Sequence, residues 1–397
     1  MLADFPEKRR TLKIACLIHS LDGGGAERVL AGLASRLASR GHDVILVTLD
    51  DGSVSRHPVA SSVRRLPLNV LSTSTNRVSP IRRLTAVRRV VRRHAIDVLL
   101  TFCDTNNLLG LAATVGLKTP VVAAERNDPR SQHLGKAKEW ARRRLYRRAF
   151  QVICLSDDVA EHLVEATGCR ATVIASAIDP PPASRPKISK ALHPAPYEDP
   201  REQDSGFVSS GAGPLQLTSI GRLEPQKGFD RLLRVLAELD DELPDWTLRL
   251  LGEGSRREEL EQMARRLGLD DRVEMPGWVS PVWDVLAETD LFVLCSRYEG
   301  FPSALLEAMS AGVASLAVDA SGGVRQIVRH DVDGWLVDNS HASLADGLRR
   351  LLQDKPLRDR LAGHASEVTD RFGWEKMVDA YEEVLHQAAD VSPHLTE

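Results

Sequence analysis

Residues 215–228 read LQLTSIGRLEPQKG, and residues 291–311 read LFVLCSRYEGFPSALLEAMSA. Each opens as a short, mostly apolar run, breaks at a glycine-bearing turn and continues as a helical pattern. That is strand–turn–helix. A chain that repeats this unit lays parallel strands side by side and covers both faces with helices, because each parallel crossover needs a helix-length connection.

The unit recurs outward from these two segments. In the C-terminal half, strands are expected at 215–221, 247–253, 272–276, 291–296, 314–319 and 334–337, with helices at 229–242, 255–267, 303–311, 342–352 and 374–386. The front half alternates likewise, with strands at 13–19, 43–49, 97–102, 120–125, 151–156 and 171–176, and helices at 26–40, 80–94 and 135–150. Between the halves, residues 180–214 are rich in Pro, Ser and Gly and carry no hydrophobic period, which reads as a linker or insertion. The expected fold is α/β: two Rossmann-like, doubly wound domains, 1–179 and 215–371, facing across a cleft. A C-terminal helix within 372–397 is expected to pack back on the first domain. In such sheets ligands bind outside the carboxyl ends of the strands.

At 397 residues the chain suits two domains, and 43% apolar with 27% charged residues is globular composition. Five cysteines stand singly, with no CxxC pair, so neither a disulfide framework nor a zinc cage is indicated and a reducing cytosol fits. The first thirteen residues lack the apolar run of a signal peptide, and no stretch approaches the roughly 20 apolar residues of a spanning helix. The expected location is cytoplasmic, or peripheral on the inner face of the cytoplasmic membrane. The net charge of −3 hides an asymmetry: residues 1–200 carry 31 Lys+Arg against 19 Asp+Glu, and the remainder 21 against 36. Residues 77–148 alone hold 17 basic and 5 acidic side chains.

Arg222 and Lys227 stand at a strand's carboxyl end before a helix, where cations, free backbone N–H groups and the helix dipole make an anion site. Two solvated charges in a turn are the plainer reading of that pair alone. In the second segment Gly300 lets the backbone pass close to a ligand, and Pro302 suits the first turn of a helix. Amides of Gly300, Phe301 and Ser303 are then expected to point at phosphate oxygens. Glu307 lies one turn into the helix, placed to accept from ribose hydroxyls, while Glu299 sits in the loop, nearer a sugar. Local capping or pairing is the plainer role for both acids.

The GRLxxxKG turn at 221–228, the Gly252-Glu253-Gly254 triplet after a strand and the E-x7-E element from Glu299 to Glu307 together resemble the retaining glycosyltransferases of family 4, which have the GT-B fold. The likeness runs from about residue 13 to about residue 385 and is interrupted by the Pro-rich stretch. It implies that Arg222 and Lys227 bind and stabilise the donor diphosphate, that Glu299 contacts the donor sugar, and that Glu307 takes the ribose. Gly300, Phe301, Pro302 and Ser303 would line the phosphate site. The donor is expected to be a nucleotide diphosphate sugar, UDP-linked, carrying a hexose or N-acetylhexosamine, with no metal or other cofactor. Fixed cations at a leaving diphosphate stabilise the transition state more than the ground state.

The front half offers a matching loop. Gly23, Gly24 and Gly25 follow the first strand and open a helix, allowing close backbone approach to a phosphate or acceptor. A dinucleotide fingerprint fails on spacing, since Arg28 stands where Gly or Ala is required. The resemblance reads the loop as GGxE, closing over the donor; Glu27 alone also reads as a first-turn acid favoured by the dipole. At 125–127 many family members place a histidine, whereas Glu125, Arg126 and Asn127 stand here, which resembles the branch that extends lipid-linked oligosaccharides. Arg126 and Asn127 are thus the candidate acceptor-binding residues, with a local salt bridge as the duller role for Arg126. Two departures concern the crossing, Ala175-Ser176 where Asn is frequent, and the donor-sugar end, Gln326 where the family often has Glu. Asp331-Val332-Asp333 spells the metal signature of another glycosyltransferase fold, but lies in a polar turn and reads as turn chemistry.

Two basic helical segments remain, one with Arg82, Arg83, Arg88, Arg89, Arg92 and Arg93, the other running from Lys136 to Arg148. In the second, Trp140, Leu145, Ala137 and Ala141 are expected to face the sheet. No nucleic-acid motif accompanies the charge, so an anionic membrane surface or a lipid-diphosphate saccharide acceptor fits better, at roughly 1 kcal/mol per basic residue. A solvated Arg-rich face remains the plain alternative. The expected function is transfer to a polyprenyl-diphosphate-linked saccharide in cell-surface glycan biosynthesis. Alternatives are transfer to a soluble sugar phosphate, nucleotide-sugar epimerisation, and non-catalytic nucleotide-sugar binding.

Overall fold

The computed structural model describes residues 10–71, 78–131, 134–182 and 213–391; most of the Pro-rich 180–214 segment lies outside them. The first sheet contains β1 (Lys13–Ile18), β2 (Asp43–Thr48), β3 (Arg64–Pro67), β4 (Val98–Phe102), β5 (Val121–Ala124), β6 (Gln151–Cys154) and β7 (Ala171–Val173), in the order β3-β2-β1-β4-β5-β6-β7. The second contains β8 (Leu215–Ile220), β9 (Trp246–Leu251), β10 (Val273–Gly277), β11 (Leu291–Leu294), β12 (Ser315–Val318) and β13 (Trp335–Val337), in the order β10-β9-β8-β11-β12-β13. Every pairing between these strands is parallel. Central strands such as β4, with all five residues buried, are almost wholly apolar because helices cover both faces, and its one polar residue, Thr101, bonds Asn107.

Strand order reverses direction between β1 and β4 in one sheet and between β8 and β11 in the other. The crevice at such a switch point is where open α/β sheets bind ligands. The glycine loop 23–25 leaves β1, the GRLxxxKG turn leaves β8, and the Glu299 loop leaves β11. All three therefore start from a switch point. Leu217 of β8 stands opposite Leu291 of β11, so the loops that follow both strands emerge side by side.

The C-terminal helix Trp374–Val391 belongs to the first domain's core. Its buried Trp374, Met377, Val378, Tyr381 and Leu385 join Leu30, Leu33, Phe102 and Ala124 in one apolar cluster. Tyr381 stacks on Phe102 with ring centroids 6.1 Å apart. Arg40 grips Glu375, Asp379 and Glu382, each at 2.6 Å. The two chain crossings between domains are joined as well, the Ile178 amide donating to the Phe372 carbonyl at 2.9 Å.

Several elements differ from expectation. β3 has four residues, Arg64, Arg65, Leu66 and Pro67, and is a short polar edge strand without a hydrophobic signature. The helix Asp104–Ala113 opens on Asp-Thr-Asn-Asn, residues that favour turns unless tertiary contacts claim them. In the helix Lys136–Leu145 the expected inward face holds for Ala141 and Leu145, which pack on the core, and fails for Trp140 and Ala137. Trp140 is 65% exposed and Ala137 is exposed, Ala141 and Leu145 are half-buried, and the residue that turns fully inward is Arg142.

Candidate active site

The β8 and β11 loops are stapled into one wall. Gly228 adopts φ +70°, and a Cβ there would fall 2.1 Å from the Cys295 carbonyl oxygen, so only glycine fits. Arg231 donates to the carbonyls of Cys295 and Ser296, both at 2.6 Å. Arg297 forks onto Asp230 with two bonds of 2.8 Å, and the Gln226 side chain donates to the Tyr298 carbonyl at 3.0 Å. Such bidentate pairs fix geometry as well as energy.

On this wall Lys227 Nζ lies 2.6 Å from Glu299 Oε1, which also accepts from Ser296 Oγ at 2.5 Å. Glu299 is buried, so the cation and the hydroxyl satisfy a carboxylate that would otherwise be desolvated alone. Arg222 is exposed at the rim, its Nη2 3.4 Å from Gln226 Oε1. The Lys227–Glu299 pair thus ties the β8 turn to the β11 loop, and Arg222 stands on the same β8 turn.

The helix Ser303–Ser310 begins beside them. Pro302 is its N-cap residue rather than part of its first turn. Among the described residues, the amides of Gly300, Phe301 and Ser303 donate no hydrogen bond and are open to an acceptor. Facing them across the interdomain gap is the start of the helix Gly25–Ser39: a Cβ on Gly25 would sit 2.8 Å from Ser303 Oγ. Two helix N-termini meet there, and both dipoles favour an anion between them. Gly300 approaches the other domain as closely, since a Cβ on it would lie 2.4 Å from the Arg126 carbonyl and 3.2 Å from Asn127 Cα. At the mouth, Gly23 at φ +102° leaves room for Arg56 and the Trp278 ring.

Glu307 projects from the second helix toward the first domain and pairs with Arg28, Nη1 to Oε1 3.3 Å. Burial raises its pKa, and Arg28 opposes that shift. Glu27 folds back over Gly24 and holds His19 at 3.0 Å. The hydrogen bond that His19 donates to Glu27 raises the His19 pKa, while burial opposes it. His57 Nε2 accepts from the Gly24 amide at 3.3 Å. Arg28, His19 and His57 were not singled out from the sequence as site residues; the only available signal was their proximity to the glycine loop or its facing strand.

The acceptor-side candidates separate. Arg126 is buried and turns into the crossing, donating to the Ser176 hydroxyl and lying 5.2 Å from the Phe102 ring, with its Nε and Nη1 unpartnered. Asn127 is half-buried beside Gly300. Glu125 is buried and accepts from Tyr146 Oη at 2.6 Å; Tyr146 in turn accepts from Asn107 at 3.2 Å. Burial pushes the Glu125 pKa up to about 7, against the pull of Arg142 and Tyr146. This network explains why Arg142, not Trp140, is the inward residue of its helix. Gln326, at the expected donor-sugar end, lies 3.5 Å from Asp157 of the first domain.

The acids of the 331–333 turn are taken by arginines: Asp331 by Arg360 at 2.5 Å, and Asp333 by Arg329 and Arg371 at 2.7 and 2.8 Å. Among the described residues, the one grouping with metal-ligand proximity is His42, Glu382 and His386. It stands at the amino end of β2, the sheet edge opposite the cleft. The Leu12 amide donates to His42 Nδ1 at 3.1 Å, leaving the proton on Nε2, which faces Glu382 at 2.9 Å. A metal would need that nitrogen's lone pair.

Residues 23–181 match the family described as Glycosyltransferase Family 4, and residues 201–368 match Glycosyl transferases group 1. A Campylobacter jejuni protein, GalNAc-alpha-(1->4)-GalNAc-alpha-(1->3)-diNAcBac-PP-undecaprenol alpha-1,4-N-acetyl-D-galactosaminyltransferase, is 27% identical over 369 residues, covering 90% of this chain and 93% of that protein. The Escherichia coli UDP-Gal:alpha-D-GlcNAc-diphosphoundecaprenol alpha-1,3-galactosyltransferase is 23% identical, covering 89% and 92%. The solved structure of Anabaena Alr3699/HepE in complex with UDP-glucose superposes with a TM-score of 0.76 at 23% identity over 95% of this chain and 100% of that one, a likeness of fold. With two parallel-sheet domains meeting at paired switch points, the chain is a GT-B glycosyltransferase, joining a family 4 N-terminal domain to a group 1 C-terminal domain.

Proposed function

We propose that the protein transfers a hexose or N-acetylhexosamine from a UDP-linked donor to a polyprenyl-diphosphate-linked saccharide during cell-surface glycan assembly, with retained configuration and without a metal. The observation that carries this reading is the convergence of Lys227, the amides of Gly300, Phe301 and Ser303, two helix N-termini, Glu299 and Glu307 on one crevice. The named acceptors of the Campylobacter and Escherichia relatives, both undecaprenyl-diphosphate saccharides, support the acceptor class.

In this reading the diphosphate lies against the Ser303 helix, with Lys227 and Arg222 beside it. The sugar C1–O bond to the β-phosphate breaks, and the electron pair stays on the phosphate, where the cations and amides stabilise it. The acceptor hydroxyl forms the new C1–O bond from the same face and passes its proton to a phosphate oxygen. Glu299 orients the donor sugar and Glu307 holds the ribose. On the acceptor side Arg126 spends one nitrogen on Ser176 and keeps Nε and Nη1 unpartnered, and Asn127 beside it is half-buried.

The basic face is read as the membrane-docking side. Lys136, Lys138, Arg143, Arg144, Arg147 and Arg148 are exposed, and the exposed Trp140 adds an apolar anchor on the same helix. Full-length protein should transfer labelled sugar from a UDP-sugar panel to short polyprenyl-diphosphate disaccharides. Transfer to free sugar phosphates at equal or greater rate, with none to the lipid-linked acceptor, would refute the acceptor assignment.

A further inference from the structure

Arg28 has no part in the reading above, yet it is the first-domain side chain that meets a donor-site carboxylate. It lies in the first turn of the helix Gly25–Ser39, its own amide bonded to the Gly24 carbonyl at 3.1 Å. Its Nη1 reaches 3.3 Å to Glu307 Oε1 across the interdomain gap. Its Nη2 is buried and has no hydrogen-bond partner. An orphaned guanidinium N–H loses its hydration without replacement, so a buried one beside an anion site is conspicuous.

The surroundings say what would satisfy it. Gly25, one turn back, all but touches Ser303 at the start of the opposite helix, so Arg28 stands over the place where the two N-termini meet. Among the described residues, Glu307 has Arg28 as its single ion-pair partner. A ribose that engages Glu307 competes for the same carboxylate oxygens and leaves the guanidinium to find another acceptor.

We propose that Arg28 is a donor-binding residue supplied by the N-terminal domain: it holds Glu307 while the cleft is empty, and when the ribose takes Glu307 it turns its free N–H groups to the donor diphosphate. The exchange keeps every partner paired. It also ties donor binding to apposition of the domains, since Arg28 and Lys227 then grip one diphosphate from opposite sides. This inference rests on the donor-site reading of Glu307.

The test compares each nucleoside diphosphate with its own nucleoside. Binding of UDP, GDP and ADP, and of uridine, guanosine and adenosine, is measured by calorimetry on the full chain for the wild type, Arg28→Ala, Arg28→Lys and Lys227→Ala. The proposal expects Arg28→Ala to cut the preferred diphosphate's affinity about tenfold or more, while nucleoside affinity stays level or rises because Glu307 is released. Arg28→Lys should recover part of the loss. If Arg28→Ala weakens diphosphate and nucleoside by the same factor, Arg28 merely shapes Glu307 and the proposal falls. If Arg28→Ala changes neither while Lys227→Ala loses diphosphate affinity, the proposal falls and the donor-site reading stands. If no nucleoside diphosphate binds the wild type, both fall.

Discussion

Lys227 Nζ and Glu299 Oε1 stand 2.6 Å apart, joining the end of the β8 turn to the β11 loop inside a single buried ion pair. The cation assigned to the leaving diphosphate and the acid assigned to the donor sugar thus hold each other while the cleft is empty. Removing Lys227 leaves the buried Glu299 carboxylate with the Ser296 hydroxyl but no counter-charge, which costs on the order of 3 kcal/mol. Lys227→Ala should raise the donor KM and lower kcat, because the same cation is asked to stabilise charge that grows in the transition state. Glu299→Ala should cut kcat by about two to three orders of magnitude with a smaller change in donor KM. Steady-state kinetics with thermal melts as a folding control would check both.

Gly300→Ala should cripple turnover without dismantling either domain. The added methyl would lie 2.4 Å from the Arg126 carbonyl, a backbone atom that cannot swing aside. Overpacking of that kind costs about 1–3 kcal/mol, and here it falls on the domain contact. Kinetics and near-ultraviolet circular dichroism on the variant should show lost activity beside native-like packing.

Stability should depend on pH through Glu125. Its pKa rises from 4.5 to about 7 in the folded chain, through burial. The folded state therefore favours the protonated acid, a contribution fully present below pH 4.5 and lost as pH rises through 7. The full swing is on the order of 3 kcal/mol. Glu125→Gln should flatten this part of the melting-temperature profile between pH 5 and 8 and raise stability at pH 8 relative to wild type.

Much of this site was legible in one sequence because its chemistry is local. GRLEPQKG and EGFPSALLE each place a strand end, a turn and a helix start within about a dozen residues, and the structure brings the two together through neighbouring strands. What stayed hidden depends on distant partners. Apolar patterning put Trp140 inward, but the buried Glu125–Tyr146 network draws in Arg142 instead. Arg126 reads as an acceptor contact from its resemblance to the lipid-linked branch, and the sequence does not announce that one of its nitrogens donates to Ser176 at the crossing. β3 has too few apolar residues to announce itself, and its strand character comes from pairing with β2.

Membrane docking is testable on the exposed face of the helix Lys136–Leu145. Vesicles containing anionic phospholipid should sediment the protein and neutral vesicles should not, with binding falling as salt rises. Arg143→Glu combined with Arg144→Glu should weaken binding by about two charges' worth each, and Trp140→Ala should weaken it by a smaller, salt-insensitive amount. Equal, negligible sedimentation with both vesicle types would contradict the docking assignment.

Metal chelation should leave transfer unchanged, because Lys227, Arg222 and two helix N-termini are the groups assigned to neutralise the diphosphate. Assays with and without EDTA, after extensive dialysis, would show it; restoration of lost activity by a divalent cation would count against that assignment.

The most direct measurement is a crystal structure of the full chain with UDP bound. The account predicts the β-phosphate against the amides of Gly300, Phe301 and Ser303 and within hydrogen-bond reach of Lys227 or Arg222, and the ribose hydroxyls on Glu307. A nucleotide seated elsewhere, with the Lys227–Glu299 and Arg28–Glu307 pairs undisturbed, would contradict it.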